Sequence, residues 1–91
     1  MKRYHMIVKG RVQGVGFRYH AKYAAAKTNI TGWAKNLDNG DVEIEAQGED
    51  ELLEAFIKLL EKGNGFSKVT SIFKTDITLI PKERSFNAVY Y

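Results

Sequence analysis

The sequence has 91 residues, 44% of them apolar and 27% charged, with a net charge of +3; this is enough for one small core and too close to globular averages for a disordered or fibrous chain. With no cysteine there is no disulfide, thiolate nucleophile or zinc–thiolate site, and the start, MKRYHMIVKG, has only three consecutive apolar residues, too few for a signal segment or a membrane span. A single domain over residues 1–91, monomeric and cytoplasmic, is the expectation, and 14 basic against 11 acidic residues suits a small anion as well as a nucleic acid.

In chain order, residues 4–12 place Tyr4, Met6, Val8, Gly10 and Val12 on one face and His5, Lys9 and Arg11 on the other, the pattern of a half-buried strand. A glycine-rich turn follows. Phe17, Ala21, Ala24, Ala25 and Thr28 then recur at helical spacing through an alanine-rich run, which predicts a helix over 17–28 closed by Asn29 in a left-handed conformation. A second strand, 30–36, leads into the hairpin turn LDNG, and in the third strand Val42, Ile44 and Ala46 alternate with Asp41, Glu43, Glu45 and Gln47, so one face is wet. From Glu49 to Lys62, Leu52, Leu53, Phe56, Ile57 and Leu60 form an apolar stripe, with acids at the start and Gly63 as the cap. The polar loop GNGFSK gives way to a β-prone run over 69–75, and after a connection holding Pro81 the tail SFNAVYY predicts a fifth strand. The order β-α-β-β-α-β plus a terminal strand is α+β, a ferredoxin-like two-layer sandwich with an antiparallel or mixed sheet and two helices on one face.

The stretch GRVQGVGFR carries a physical tension. Gly10, Gly14 and Gly16 leave few side chains over the backbone N–H groups of residues 13–18, just before a helix whose first N–H groups are themselves free, so the segment reads either as a tight turn or as a nest for an oxyanion. Arg18 falls in the first helical turn, where the helix dipole disfavours a cation by up to about 1 kcal/mol. A bound anion reverses that penalty, and guanidinium offers a fork matched to two phosphate oxygens. A right-handed β-α-β unit makes the first two strands parallel, so the loop and Asn36 share one edge of the sheet, roughly 9 to 10 Å apart if the third strand lies between them. Read alone, Asn36 is equally a turn residue beside Asp38, Asn39 and Gly40. Neither GxxxxGK[ST] nor GxGxxG is present, which speaks against a nucleotide loop.

These residues resemble the acylphosphatase family. Its first signature appears as Gly10, Val12, Gln13, Gly14, Val15, Phe17 and Arg18, and its second as Gly32, Trp33, Ala34, Lys35, Asn36, Gly40, Val42 and Gly48. Asn29, where a glycine is common, and a 63–68 loop without the usual proline depart from the pattern away from these positions. The resemblance implies hydrolysis of the carboxyl–phosphate bond of a small-molecule acyl phosphate, with no metal, no cofactor and no phosphoenzyme, and with inorganic phosphate as product or inhibitor. It further implies that Arg18 and the backbone of Gln13, Gly14, Val15, Gly16, Phe17 and Arg18 hold the phosphate, and that Asn36 orients the attacking water.

Other residues invite other chemistry. His20, two positions past Arg18, raises a general-base or phosphohistidine role against that of a half-exposed helix residue, and His5 reads as an outer-face strand residue. Asp38, Asp41, Glu43 and Glu45 raise a metal site, although the last three alternate along the wet face, where isolated charges are usual. Tyr90 and Tyr91 read as packing over the sheet edge. A nucleic-acid-binding sheet is disfavoured because the RNP1 pattern is missing. A non-catalytic module that binds acyl phosphate or carbamoyl phosphate is the alternative to the enzyme.

Overall fold

The computed structural model describes residues 1–90; Tyr91 lies outside the described residues. Its elements are β1 (Lys2–Arg11), α1 (Phe17–Thr28), β2 (Thr31–Asn36), β3 (Val42–Gly48), α2 (Asp50–Lys62), β4 (Lys68–Ile77) and β5 (Phe86–Val89). They form a five-stranded sheet of order β4-β1-β3-β2-β5, in which β1–β3, β1–β4 and β2–β3 are antiparallel and β2–β5 is parallel. The sheet is therefore mixed. Because β1 and β2 both run antiparallel to the strand between them, they are parallel to each other, and both end at the same edge of the sheet.

The alternation of apolar residues decides which face is buried. Tyr4, Met6 and Val8 of β1, Val42, Ile44 and Ala46 of β3 and Ala34 of β2 pack with Phe17, Ala21 and Ala24 of α1 and Leu53, Phe56 and Leu60 of α2 in one core. α2 has Asp50 and Glu51 in its first turn and Lys62 in its last, each sign matched to the helix dipole. α1 ends at Asn29 with φ 56°, whose N–H returns to the Ala25 carbonyl, an αL closure that asparagine tolerates.

The outer face departs from the wet surface expected. Arg3 is only 1% exposed. Its Nε donates to Glu45 at 2.9 Å, and its Nη1 to Gln47 at 3.2 Å and Glu83 at 2.8 Å. Burial works against the guanidinium's charge, but the hydrogen bonds it donates to Glu83 and Glu45, together with their negative charge, outweigh it and hold Arg3 above its ordinary value. Gln47 also exchanges two hydrogen bonds with the Ile80 backbone. The segment linking the two edge strands, β4 and β5, is thus bolted to the ends of β1 and β3. This polar clamp joins residues up to 80 positions apart, which periodicity does not report.

Asp41 also corrects the expectation. It stands just before β3 and is 9% exposed, paired with Lys9 at 2.6 Å, while its backbone N–H donates to Asn39 Oδ1 at 3.0 Å. Gly10, grouped above with the loop glycines, serves the sheet instead. β1 shifts register against β4 between Lys9 and Gly10, where φ is +130° and a Cβ would stand 2.0 Å from the Lys68 carbonyl oxygen. Only glycine allows that approach of two backbones.

Candidate active site

The segment from β1 to α1 is anchored by its apolar side chains and open along its backbone. Val12 and Phe17 are each 1% exposed, and Val15 packs against the core, while Gly14 and Gly16 are exposed. Both glycines take left-handed conformations, φ 72° and 75°, and a Cβ at Gly14 would meet nothing within 4 Å. Left-handed residues set into such a loop turn successive N–H groups toward one side, the geometry of an anion nest. Gly16 is the N-cap of α1, with no side-chain cap and no acid in the first turn, so no side chain of the loop competes for the helix's first N–H groups.

Arg18 answers its awkward place on the dipole by reaching out of the helix. Its Nη1 donates to the Val89 carbonyl at 2.5 Å, and its Cζ lies 4.3 Å from the centre of the Tyr90 ring. Guanidinium has five N–H donors, so anchoring one leaves a fork for an oxyanion. Cation–π contact with the ring helps to fix its plane.

Strand register decides the direction of Asn36. It pairs with Val42, which pairs in turn with Val8, both fully buried on the helix-facing side. The Asn36 amide therefore points into the helix layer at the end where α1 begins, and its Oδ1 is buried without a hydrogen-bond partner. Buried acceptors are nearly always satisfied, so an orphan amide oxygen at a surface cleft is a place for a donor such as water. Arg18 and Asn36 line one cleft of about 520 Å³, together with Leu37 and Asp38 of the hairpin and Val89 and Tyr90 of the C-terminal segment.

The loop is tied to that cleft by side chains whose roles the sequence did not disclose. Gln13, expected to contribute only its backbone, sends Nε2 to the Leu37 carbonyl at 2.6 Å and to the Asp41 carbonyl at 2.8 Å. It thereby joins the glycine loop to the hairpin that carries Asn36. Asn64, read only as loop, donates from Nδ2 to the Val15 carbonyl at 2.9 Å and accepts from the N–H groups of Phe66 and Ser67. The one signal for it was an asparagine between two glycines. Tyr90 stacks on Arg18, and its hydroxyl meets that of Tyr19.

The remaining candidates are engaged elsewhere. His20 donates from Nε2 to the Leu59 carbonyl at 2.8 Å, turned toward α2, and His5 donates to Glu43 at 2.7 Å on the outer face. Asp41, Glu43 and Glu45 are paired with Lys9, His5 and Arg3. Among the described residues, no three such side chains are grouped as a metal ion would require.

One edge of the sheet thus carries N–H donors and a guanidinium on one side and an amide acceptor on the other. The sequence profile of the acylphosphatase family matches residues 4–88. An acylphosphatase of Clostridium beijerinckii is 48% identical over 90 residues, covering 99% of this chain and 100% of that protein. The crystal structure of acylphosphatase from Bacillus subtilis superposes with a TM-score of 0.92 at 44% identity, covering 99% of this chain and 100% of that one. An acylphosphatase from Coxiella burnetii superposes with a TM-score of 0.87 at 32% identity, covering 97% and 92%. The chain belongs to the acylphosphatase family. It is a hydrolase of acyl phosphates, small molecules whose carboxyl–phosphate bond it cleaves.

Proposed function

We propose that Arg18 and the backbone N–H groups of residues 13–18 hold the phosphoryl group while Asn36 orients the water that attacks it. The observation that carries this reading is the buried, unpartnered Oδ1 of Asn36 in the same cleft as Arg18. A water donating one O–H to Oδ1 keeps a lone pair for phosphorus. The P–O bond to the acyl group breaks in line with the attack, its electrons leave on the carboxylate, and the water's proton passes to a phosphoryl oxygen. The leaving acid has a pKa of about 4 to 5, so it departs at neutral pH without a general acid. An amide oxygen orients a proton and does not remove it. The protein's part is positioning and stabilisation of charge on the phosphoryl oxygens, which N–H groups and one guanidinium supply.

In the same reading the chain acts as one domain over residues 1–91, a cytoplasmic monomer with no nucleic-acid partner. Trp33 shares its row of the outer face with Glu45 and His5, a mixed surface that does not favour stacked bases beside a basic stripe. No helix among the described residues is long and apolar enough to cross a membrane.

The test is hydrolysis of benzoyl phosphate without added metal by the wild type, Asn36→Ala and Arg18→Gln. Asn36→Ala loses about 100-fold or more in kcat with KM nearly unchanged, the scale set by losing orientation of a reacting group. Arg18→Gln raises KM and the inhibition constant of inorganic phosphate as well as lowering kcat. A folded Asn36→Ala protein that keeps most of its activity removes Asn36 from the reaction, and a wild type that binds phosphate compounds without turning them over replaces the enzyme with a carrier.

A further inference from the structure

Arg18 and Asn36 occupy only part of their cleft. The wall also holds Leu37 and Tyr90, which offer apolar surface, whereas Val89 pairs with Lys35 on the outer face and meets Arg18 through its carbonyl. Tyr90 is unusual among them. It is 64% exposed, so core packing does not explain its place, yet its ring is fixed by other means. The Arg18 guanidinium lies 4.3 Å from its centroid, its hydroxyl meets Tyr19, and the two tyrosine rings stand 6.4 Å apart at 51°. The Val89 carbonyl that holds Arg18 belongs to the preceding residue, so the last strand sets guanidinium and ring together. An aromatic held rigid before a ligand arrives offers contact area at little entropic cost.

We infer that Leu37 and Tyr90 form an acyl-group subsite, with Tyr90 as its platform, which favours acyl phosphates carrying an apolar and above all an aromatic acyl group. The inference rests on the placement of the phosphoryl group at Arg18 and Asn36. With the phosphorus there, the bridging oxygen leads the acyl carbon away from the nest and along the remaining wall of the cleft. The charged side chains of that wall, Lys35 and Asp38, are opposite in sign and provide no net selection for a charged acyl group. The hydroxyl of Tyr90 is spent on Tyr19, so the ring presents its apolar surface.

The experiment compares kcat/KM for benzoyl phosphate and acetyl phosphate in the wild type, Tyr90→Ala and Tyr90→Phe, with circular dichroism to establish folding and inhibition by inorganic phosphate to report on Arg18. Tyr90→Ala lowers kcat/KM for benzoyl phosphate about 3- to 10-fold more than for acetyl phosphate, the size of one aromatic contact, and the change lies mainly in KM. Tyr90→Phe keeps the wild-type ratio within about twofold, since the ring remains. An equal fall for both substrates in Tyr90→Ala, accompanied by weaker phosphate inhibition, overturns the subsite and leaves Tyr90 as a support for Arg18 alone. A wild type inactive on both substrates refutes the parent reading and the subsite with it.

Discussion

Gln13→Ala tests whether the two halves of the site depend on each other. The Gln13 amide nitrogen joins the glycine loop to the β2–β3 hairpin through the Leu37 and Asp41 carbonyls, at 2.6 and 2.8 Å. Neither carbonyl is stranded when the amide goes, because the Leu37 oxygen still accepts from Gly40 N and the Asp41 oxygen from Leu37 N. The cost is therefore that of two ordinary hydrogen bonds, about 2 kcal/mol in all. For a domain of this size that lowers Tm by roughly 8 to 16 °C. The consequence for activity is larger. A displacement of about 1 Å between reacting groups costs on the order of 100-fold, so kcat/KM for benzoyl phosphate falls about 10- to 100-fold at a temperature where the variant is folded. Gln13→Glu is worse than alanine, since it sets a carboxylate against two carbonyl oxygens. Urea unfolding followed by circular dichroism measures the first effect, and initial rates on benzoyl phosphate measure the second. A loss of about 2 kcal/mol with kcat/KM within twofold of wild type makes the clamp a brace of the fold and nothing more.

Arg3→Met leaves Glu45 and Glu83, 22% and 16% exposed, facing each other without their cation. It costs about 2 to 4 kcal/mol in urea unfolding, somewhat below a fully buried pair, and leaves KM for acyl phosphate unchanged; an Arg3→Met protein as stable as wild type removes the clamp from the account. Tyr90 should ionise above the ordinary tyrosine range. Its hydrogen bond with Tyr19, then desolvation, raise its pKa above the ordinary tyrosine value, against the opposing pull of Arg18. Since the folded state holds this proton more tightly than the unfolded one, the contribution of the link is complete below about pH 10 and is lost as pH rises through the folded value. A phenolate absorbance titration of wild type against Tyr19→Phe checks this, and curves that differ only by the one phenol removed, with no high-pH phase moved down, would count against the link.

The elements were legible because their causes are local. Alternation in VEIEAQ marked β3, the stripe through Leu53, Phe56 and Leu60 marked α2, and Asn29 and Gly63 marked the two helix ends. Where the boundaries moved, a tertiary contact moved them. β1 begins at Lys2 because Arg3 is held on the outer face by Glu45 and Glu83, and β4 runs to Ile77 because Arg3 pairs with it there.

For the site, the sequence by itself determined the materials: a glycine loop before a helix, an arginine in that helix's first turn, and an asparagine at the end of the next strand. Conformational preferences and periodicity act over a few residues, and they suffice for that much. Only the tertiary structure decided what the materials do. Register turned Asn36 inward and left its Oδ1 unpartnered, Gln13 crossed 24 positions to clamp the loop to the hairpin, and Asn64 crossed 49 to brace it from behind. Arg18 met the Val89 carbonyl 71 positions away. These contacts arise because β1 and β2 end at one edge of the sheet and β5 closes beside them, an adjacency set by the packing of the whole chain and carried by no spacing along it.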